Sequence, residues 1–84
     1  GYTSKCSFID NEEIKKHQHY AGKRINRNFF RSQHGIIINA DIHAAYNILK
    51  KYMKQNATWN ETLSQTLVKA CSMPGVRKIN INLA

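Results

Sequence analysis

Asp41 follows the apolar run Ile36-Ile37-Ile38 and precedes Ile42-His43-Ala44-Ala45, where a helical pattern begins. A carboxylate at that junction is kept ionised by the helix dipole. It can hold Mg²⁺, which takes a few carboxylates and keeps several waters. The plainer role is a helix cap, open to Asn39 or Asp41. The other ligand types are Cys6, His17, His19 and His34. Zinc sites usually pair their ligands, as in Cys-x2-Cys or His-x3–5-His. Here Ile9 stands where a partner of Cys6 would be, and His17 and His19 are one residue apart. The spacing therefore argues against zinc, and favours surface histidines and a semi-buried thiol. No serine sits in a nucleophile elbow and no glycine-rich loop could cradle phosphate. Cys6 and Cys71 lack any motif, so burial suits both.

The cations form a second pattern. Lys15, Lys16, Lys23, Arg24, Arg27 and Arg31 follow one another with no acid between them, and Tyr20, Phe29 and Phe30 lie among them. Cations neutralise phosphates and rings stack on bases, so the stretch suits nucleic acid. The competing reading is a solvated basic face with Phe29 and Phe30 turned into a core. The whole chain tilts the balance: 13 Lys plus Arg against 5 Asp plus Glu gives a net charge of +8. That excess points to a polyanion, nucleic acid first and an acidic membrane surface second.

Length and composition bound the rest. A chain of 84 residues is one small domain or a piece of a larger one. Its 42 % hydrophobic content is enough for a core and too high for a disordered chain. No run approaches the ~18 apolar residues of a membrane helix. Two cysteines do not frame a disulfide mini-protein, and a reducing, cytoplasmic setting is expected.

These residues need elements to hold them. Tyr2 to Ile9 has strand-like composition, and Asp10-Asn11 marks a turn. Glu12 to His19 makes a short helix or a loop. Lys23 to Phe30 reads as a strand, Gln33-His34-Gly35 as a turn, and Gly35–Asn39 as a short buried strand. Ala45, Ile48, Leu49, Tyr52 and Met53 keep the spacing of one buried helical face, which predicts a principal amphipathic helix from about Ile42 to Lys54. Thr58 and Glu61 match a capping box. Trp59, Leu63, Leu67 and Cys71 predict a shorter helix from about Trp59 to Cys71. Pro74-Gly75 stops it, and Val76 to Leu83 alternates like a last strand or an extended tail. The expected fold is a small α+β unit of short strands, one principal helix and a second shorter one.

The string Asp41-x-His43-Ala44-Ala45-x-Asn47-Ile48 resembles the Asp-x-Asn-Ala-Ala-x-Asn-Ile signature of the last catalytic segment in TnpB/OrfB-type, transposase-associated proteins of insertion sequences. Type V CRISPR effectors look to share it. Tyr2-Thr3-Ser4-Lys5-Cys6-Ser7-Phe8 resembles the start of that family's zinc-ribbon insert. His17-x2-Tyr20-x-Gly22-Lys23-Arg24-Ile25 to Phe30 is similar to a subgroup whose ribbon has lost most of its cysteines. Met73-Pro74-Gly75-Val76-Arg77 looks like the family's C-terminal end.

The resemblance implies a RuvC-like, RNase H-type nuclease, in which three separated acids bind two Mg²⁺ ions for phosphodiester cleavage. Asp41 would be the third acid. Residues 1–35 would be a degenerate, basic zinc-ribbon insert without its metal, 36–54 the last RuvC-like strand and helix, and 55–84 the C-terminal helix and tail. DNA, a guide RNA and an upstream part of the same polypeptide would be the partners. His43 departs from the family's Asn, and Cys6 alone survives of the ribbon cysteines. No residue here can be the first Asp or the Glu, so the chain reads as the C-terminal part of an endonuclease, inactive by itself. A stand-alone basic nucleic-acid-binding module is the alternative. A protein-interaction module using Trp59, Leu63 and Leu67 is a third reading.

Overall fold

The computed structural model describes residues 1–72. It is a small α+β fold, in which a three-stranded antiparallel sheet is followed by two helices. The strands are β1 (Lys23–Arg24), β2 (Phe29–Arg31) and β3 (Ile37–Asn39), in the order β1-β2-β3. The helices are α1 (Ala40–Gln55) and α2 (Glu61–Cys71). Among the described residues, no helix is long and apolar enough to cross a membrane.

The strands are short because turn residues interrupt them. Asn26 Oδ1 accepts the N–H groups of Asn28 and Phe29, which splits the expected strand from Lys23 to Phe30 into the β1–β2 hairpin. Gly35 turns the chain from β2 to β3 with φ +92°, in the left-handed region that glycine enters without strain. Ser32 closes that turn: its Oγ accepts from Ile36 N at 2.9 Å. The register sets Phe30 opposite Ile38, both buried. Gly22 is needed beside them, since a Cβ there would lie 2.8 Å from the Arg31 carbonyl and run into the Phe30 ring.

The chain before β1 is irregular. Tyr2–Ser4 forms a single 3-10 turn, and the segment from Lys5 to Gly22 contains neither helix nor strand. The strand expected over Tyr2 to Ile9 is therefore absent, and Glu12 to His19 is loop. Phe8 nevertheless anchors this segment in the core with Ile38 and Cys71. Tyr46 and Trp59 flank the Phe8 ring at 5.1 and 6.2 Å.

Helix α1 runs straight on from β3 and is capped by Asn39, whose Oδ1 accepts from Asp41 N and Ile42 N. It ends in a Schellman turn: Thr58 N donates to Met53 O and Ala57 N to Lys54 O, with Ala57 at φ +56°. Thr58 is thus part of the stop of α1, and its hydroxyl also donates to Met53 O. The capping role expected of Thr58 falls to Asn60, which accepts from Leu63 N. The expected tail from Val76 to Leu83, and the Pro74-Gly75 stop, lie outside the described residues.

The inward face of α1 differs from the one its apolar spacing predicts. The buried residues are Ala40, His43, Asn47 and Lys50. Ile48 is 57 % exposed, Tyr52 63 % and Leu49 40 %, and only Met53 of the expected stripe is half-buried. The irregular segment explains this inversion. Its backbone groups have no strand partner, and buried backbone groups must be paired. His43 Nε2 accepts from Phe8 N at 2.9 Å. Asn47 Nδ2 donates to Thr3 O and Cys6 O at 3.0 and 2.7 Å. Lys50 Nζ donates to Asn11 Oδ1 and Glu12 O at 3.1 and 3.2 Å. One polar face of α1 thus holds the segment from Thr3 to Glu12.

Candidate functional site

Asp41 occupies the first turn of α1 and is exposed. Asn39 does the capping, so the carboxylate of Asp41 is spared that role. Among the described residues it has no hydrogen-bond or ion-pair partner. Asp41, Ala45, Ile48 and Tyr52 recur at i, i+4, i+7 and i+11, so they share one face of the helix, opposite His43, Asn47 and Lys50. The carboxylate therefore stands at the head of an uncovered apolar stripe. Beside the stripe, Ala45, Tyr46, Leu49 and Leu67 line an apolar groove of about 290 Å³ between the two helices.

A lone carboxylate does not make a two-metal site. Among the described residues, one cluster brings three potential ligands together, and it does not include Asp41.

The six cations separate into roles. Lys23 and Arg31 face each other across β1 and β2 and are both exposed. Like charges directly opposite on a sheet repel each other, which an anion between them would relieve. They flank an open cleft of about 310 Å³ that Tyr20, Ser32 and Gln33 also line. Arg24 turns back on the hairpin, donating to Asn26 O and Arg27 O. Lys15 lies 3.7 Å from Glu13 on the open surface, a contact worth little. Lys16 and Arg27 are exposed.

One of the interleaved rings is turned into the core. Phe30 is buried and lies flat on His43, with centroids 3.8 Å apart and planes within 13°. Phe29 is half-buried in the strand. Tyr20 sits edge-on to His17 at 5.4 Å. Trp59, which precedes α2, and Leu67 on α2 pack against the core.

The three-ligand cluster was not legible in the sequence. Cys6, Glu12 and His17 bring a thiol, a carboxylate oxygen and a ring nitrogen within 4.8 Å of one another. Backbone partners hold each donor. Cys6 Sγ donates to Lys15 O at 3.4 Å. Glu12 Oε1 accepts from Ser7 N at 2.8 Å and Oε2 from Ala21 N at 2.9 Å. His17 Nε2 stands 2.7 Å from Glu13 O and 4.0 Å from Glu12 Oε2. Burial pushes the Cys6 thiol pKa up, and the Glu12 charge adds to it. Burial also lowers the Lys50 pKa, with the Lys54 charge acting in the same direction. Spacing tests built on short-range pairs miss the cluster, because its members are separated by irregular loop.

Comparison with protein-family models, with curated proteins and with solved structures finds no match for this chain.

Proposed function

We propose that this chain is the C-terminal part of a RuvC-like, RNase H-type endonuclease of the TnpB/OrfB kind. In this reading it binds nucleic acid through the basic hairpin and contributes Asp41 to the catalytic acids. The uncommitted carboxylate of Asp41, directly after β3 and at the head of an uncovered apolar stripe, carries the reading. An apolar helix face of this extent is what a neighbouring layer of the same domain would cover. The remaining acids would come from outside these 84 residues. The residues present do not fit a two-Mg²⁺ centre by themselves, so no cleavage step is assigned to this chain alone.

The native reading frame upstream of Gly1 tests the proposal. A continuous frame with an Asp and a Glu on buried-strand patterns supports it, and Asp41→Ala then abolishes Mg²⁺-dependent cleavage by the intact protein. Vigorous cleavage by the 84-residue chain alone overturns it.

The cleft between Lys23 and Arg31 favours a second reading, a basic nucleic-acid-binding module without catalysis. Both readings expect duplex DNA binding that weakens steeply with salt. Replacing Lys23 and Arg31 together by Ala should reduce the slope of log K against log salt by about two. Binding that hardly changes between low and physiological salt counts against both. Cleavage by the intact protein that survives Asp41→Ala leaves only the second.

A further inference from the structure

We propose that Cys6, Glu12 and His17 form a zinc site, with Cys6 thiolate, a Glu12 carboxylate oxygen and a His17 ring nitrogen as three protein ligands and water as the fourth. The site is independent of Asp41. It also differs from a ribbon of paired cysteines, since Ile9 occupies the position three after Cys6.

The donor set fits zinc in type and number. Thiolate, imidazole and carboxylate are the zinc donors, and three of them plus a water make a tetrahedral centre. The donor atoms lie within 4.8 Å of one another. Bonds of about 2.0–2.3 Å would draw them to about 3.5 Å apart, an inward shift of about 1 Å for each pair. All three residues lie on the irregular segment between Lys5 and Gly22, where only side-chain and turn contacts set the path. That loop can make the shift without breaking a helix or a strand.

The Glu12 carboxylate already has outer partners of the kind a metal centre uses. Ligating carboxylates and imidazoles are themselves held by hydrogen bonds that orient them. Glu12 is held on both oxygens by the N–H groups of Ser7 and Ala21. In the metal-free chain the Lys15 carbonyl accepts from the Cys6 thiol, and the Glu13 carbonyl lies 2.7 Å from His17 Nε2. Zinc would displace the thiol proton, and ligation through Nε2 would exchange the Glu13 contact for the metal. Glu12 and His17 are half-buried, so water can reach the fourth position, whereas Cys6 is sealed from solvent.

Charge also balances. A divalent cation is matched by one thiolate and one carboxylate, which leaves the centre neutral beside the buried Cys6. Lys50 lies behind the loop on Glu12 O and Asn11 Oδ1. Its positive charge eases thiolate formation. Binding releases the Cys6 thiol proton to solvent, so affinity rises with pH.

The site would also give the chain what it lacks. A small domain with a long irregular segment gains stability when a metal clips that segment closed. Zinc would join Cys6 to His17 across the loop that α1 holds from the other side.

The test loads the full 84-residue chain, stripped with chelator, with Co²⁺ and then Zn²⁺. The expected result is a near-ultraviolet thiolate-to-cobalt charge-transfer band at one metal per chain, displaced by zinc, with a zinc-dependent rise in Tm. Cys6 is buried, so Cys6→Ser could fail to fold. His17→Ala and Glu12→Gln therefore serve as variants, with folding checked by circular dichroism. Each should weaken zinc binding by at least about tenfold, the loss that even an outer partner of a ligand commands. Cys71→Ser should leave the band in place. No band in the folded wild-type chain overturns the proposal. So does a band of unchanged affinity in His17→Ala.

Discussion

The backbone N–H of Phe8 donates to Nε2 of His43 at 2.9 Å, joining the irregular N-terminal segment to the second turn of α1. The imidazole accepts at Nε2, so it is neutral with its proton on Nδ1. Burial pushes its pKa down from 6.5 to about 4, against the pull of the Asp10 charge. In the unfolded chain the ring protonates near 6.5, so between 6.5 and 4 the unfolded state holds more protons. Stability from this site is complete above that window and falls as pH drops through it, by on the order of 3 kcal/mol in total. Urea unfolding at about pH 7.5, 5.5 and 4.5 should show this decline. His43→Asn keeps an acceptor that does not titrate, and the same series on that variant should be flatter.

Asn47 is fully buried, and both protons of its amide go to backbone carbonyls, those of Thr3 and Cys6. Its Oδ1 finds no partner among the described residues. The site needs a donor. Asn47→Asp replaces that donor with a carboxylate facing two carbonyl oxygens. The expected loss is more than about 3 kcal/mol, larger than for Asn47→Ala, which only leaves the carbonyls unpaired. Chemical denaturation of the two variants side by side gives the order. A milder effect for Asp than for Ala would mean that the amide is not the clamp.

His43, Asn47 and Lys50 also show where sequence reasoning lost its grip. Both helices, and the short strand before α1, were legible from periodicity and turn residues, to within about two residues at each end. The orientation of α1 was not. Apolar spacing picks out Ala45, Ile48, Leu49, Tyr52 and Met53 as the inward face, and apart from the half-buried Met53 the burial went to the polar face instead. Periodicity measures side-chain hydrophobicity and carries no information on how many unpaired backbone groups a neighbouring loop presents. The irregular segment from Thr3 to Glu12, which has no ladder, outweighed a stripe of five apolar side chains. For the same reason the clustering of Cys6, Glu12 and His17 was hidden, since irregular chain has no period to read. Asp41 was legible because its position depends only on the strand-to-helix junction.

Ala57 takes φ +56° at the stop of α1, where the Schellman turn calls for the left-handed conformation. A Cβ in that region costs about 1–2 kcal/mol, which glycine avoids. Part of the gain is lost to the greater freedom of glycine in the unfolded chain. Ala57→Gly should therefore stabilise the fold by about 0.5–1 kcal/mol. Thermal denaturation monitored by circular dichroism measures it, with Tm expected to rise by a few degrees. A drop in Tm would show that the turn is not held as described.

The apolar stripe makes the sharpest distinction between this chain and a larger protein around it. Ile48 is 57 % and Tyr52 63 % exposed, so neither contributes much to the core described here. Ile48→Lys with Tyr52→Lys should change the stability of the 84-residue chain by no more than about 0.5 kcal/mol, the usual range for exposed positions. Ile38→Ala, in the core, should cost about 2–5 kcal/mol by comparison. If the chain is part of a larger endonuclease, as proposed, the stripe lies under another layer of that domain. The same double substitution should then bury two charges without partners and lower both stability and cleavage. Parallel unfolding curves of the short chain and the intact protein decide the matter. Equal tolerance in both would leave the stripe uncovered in each, and would remove the main structural support for Asp41 as part of a larger catalytic domain.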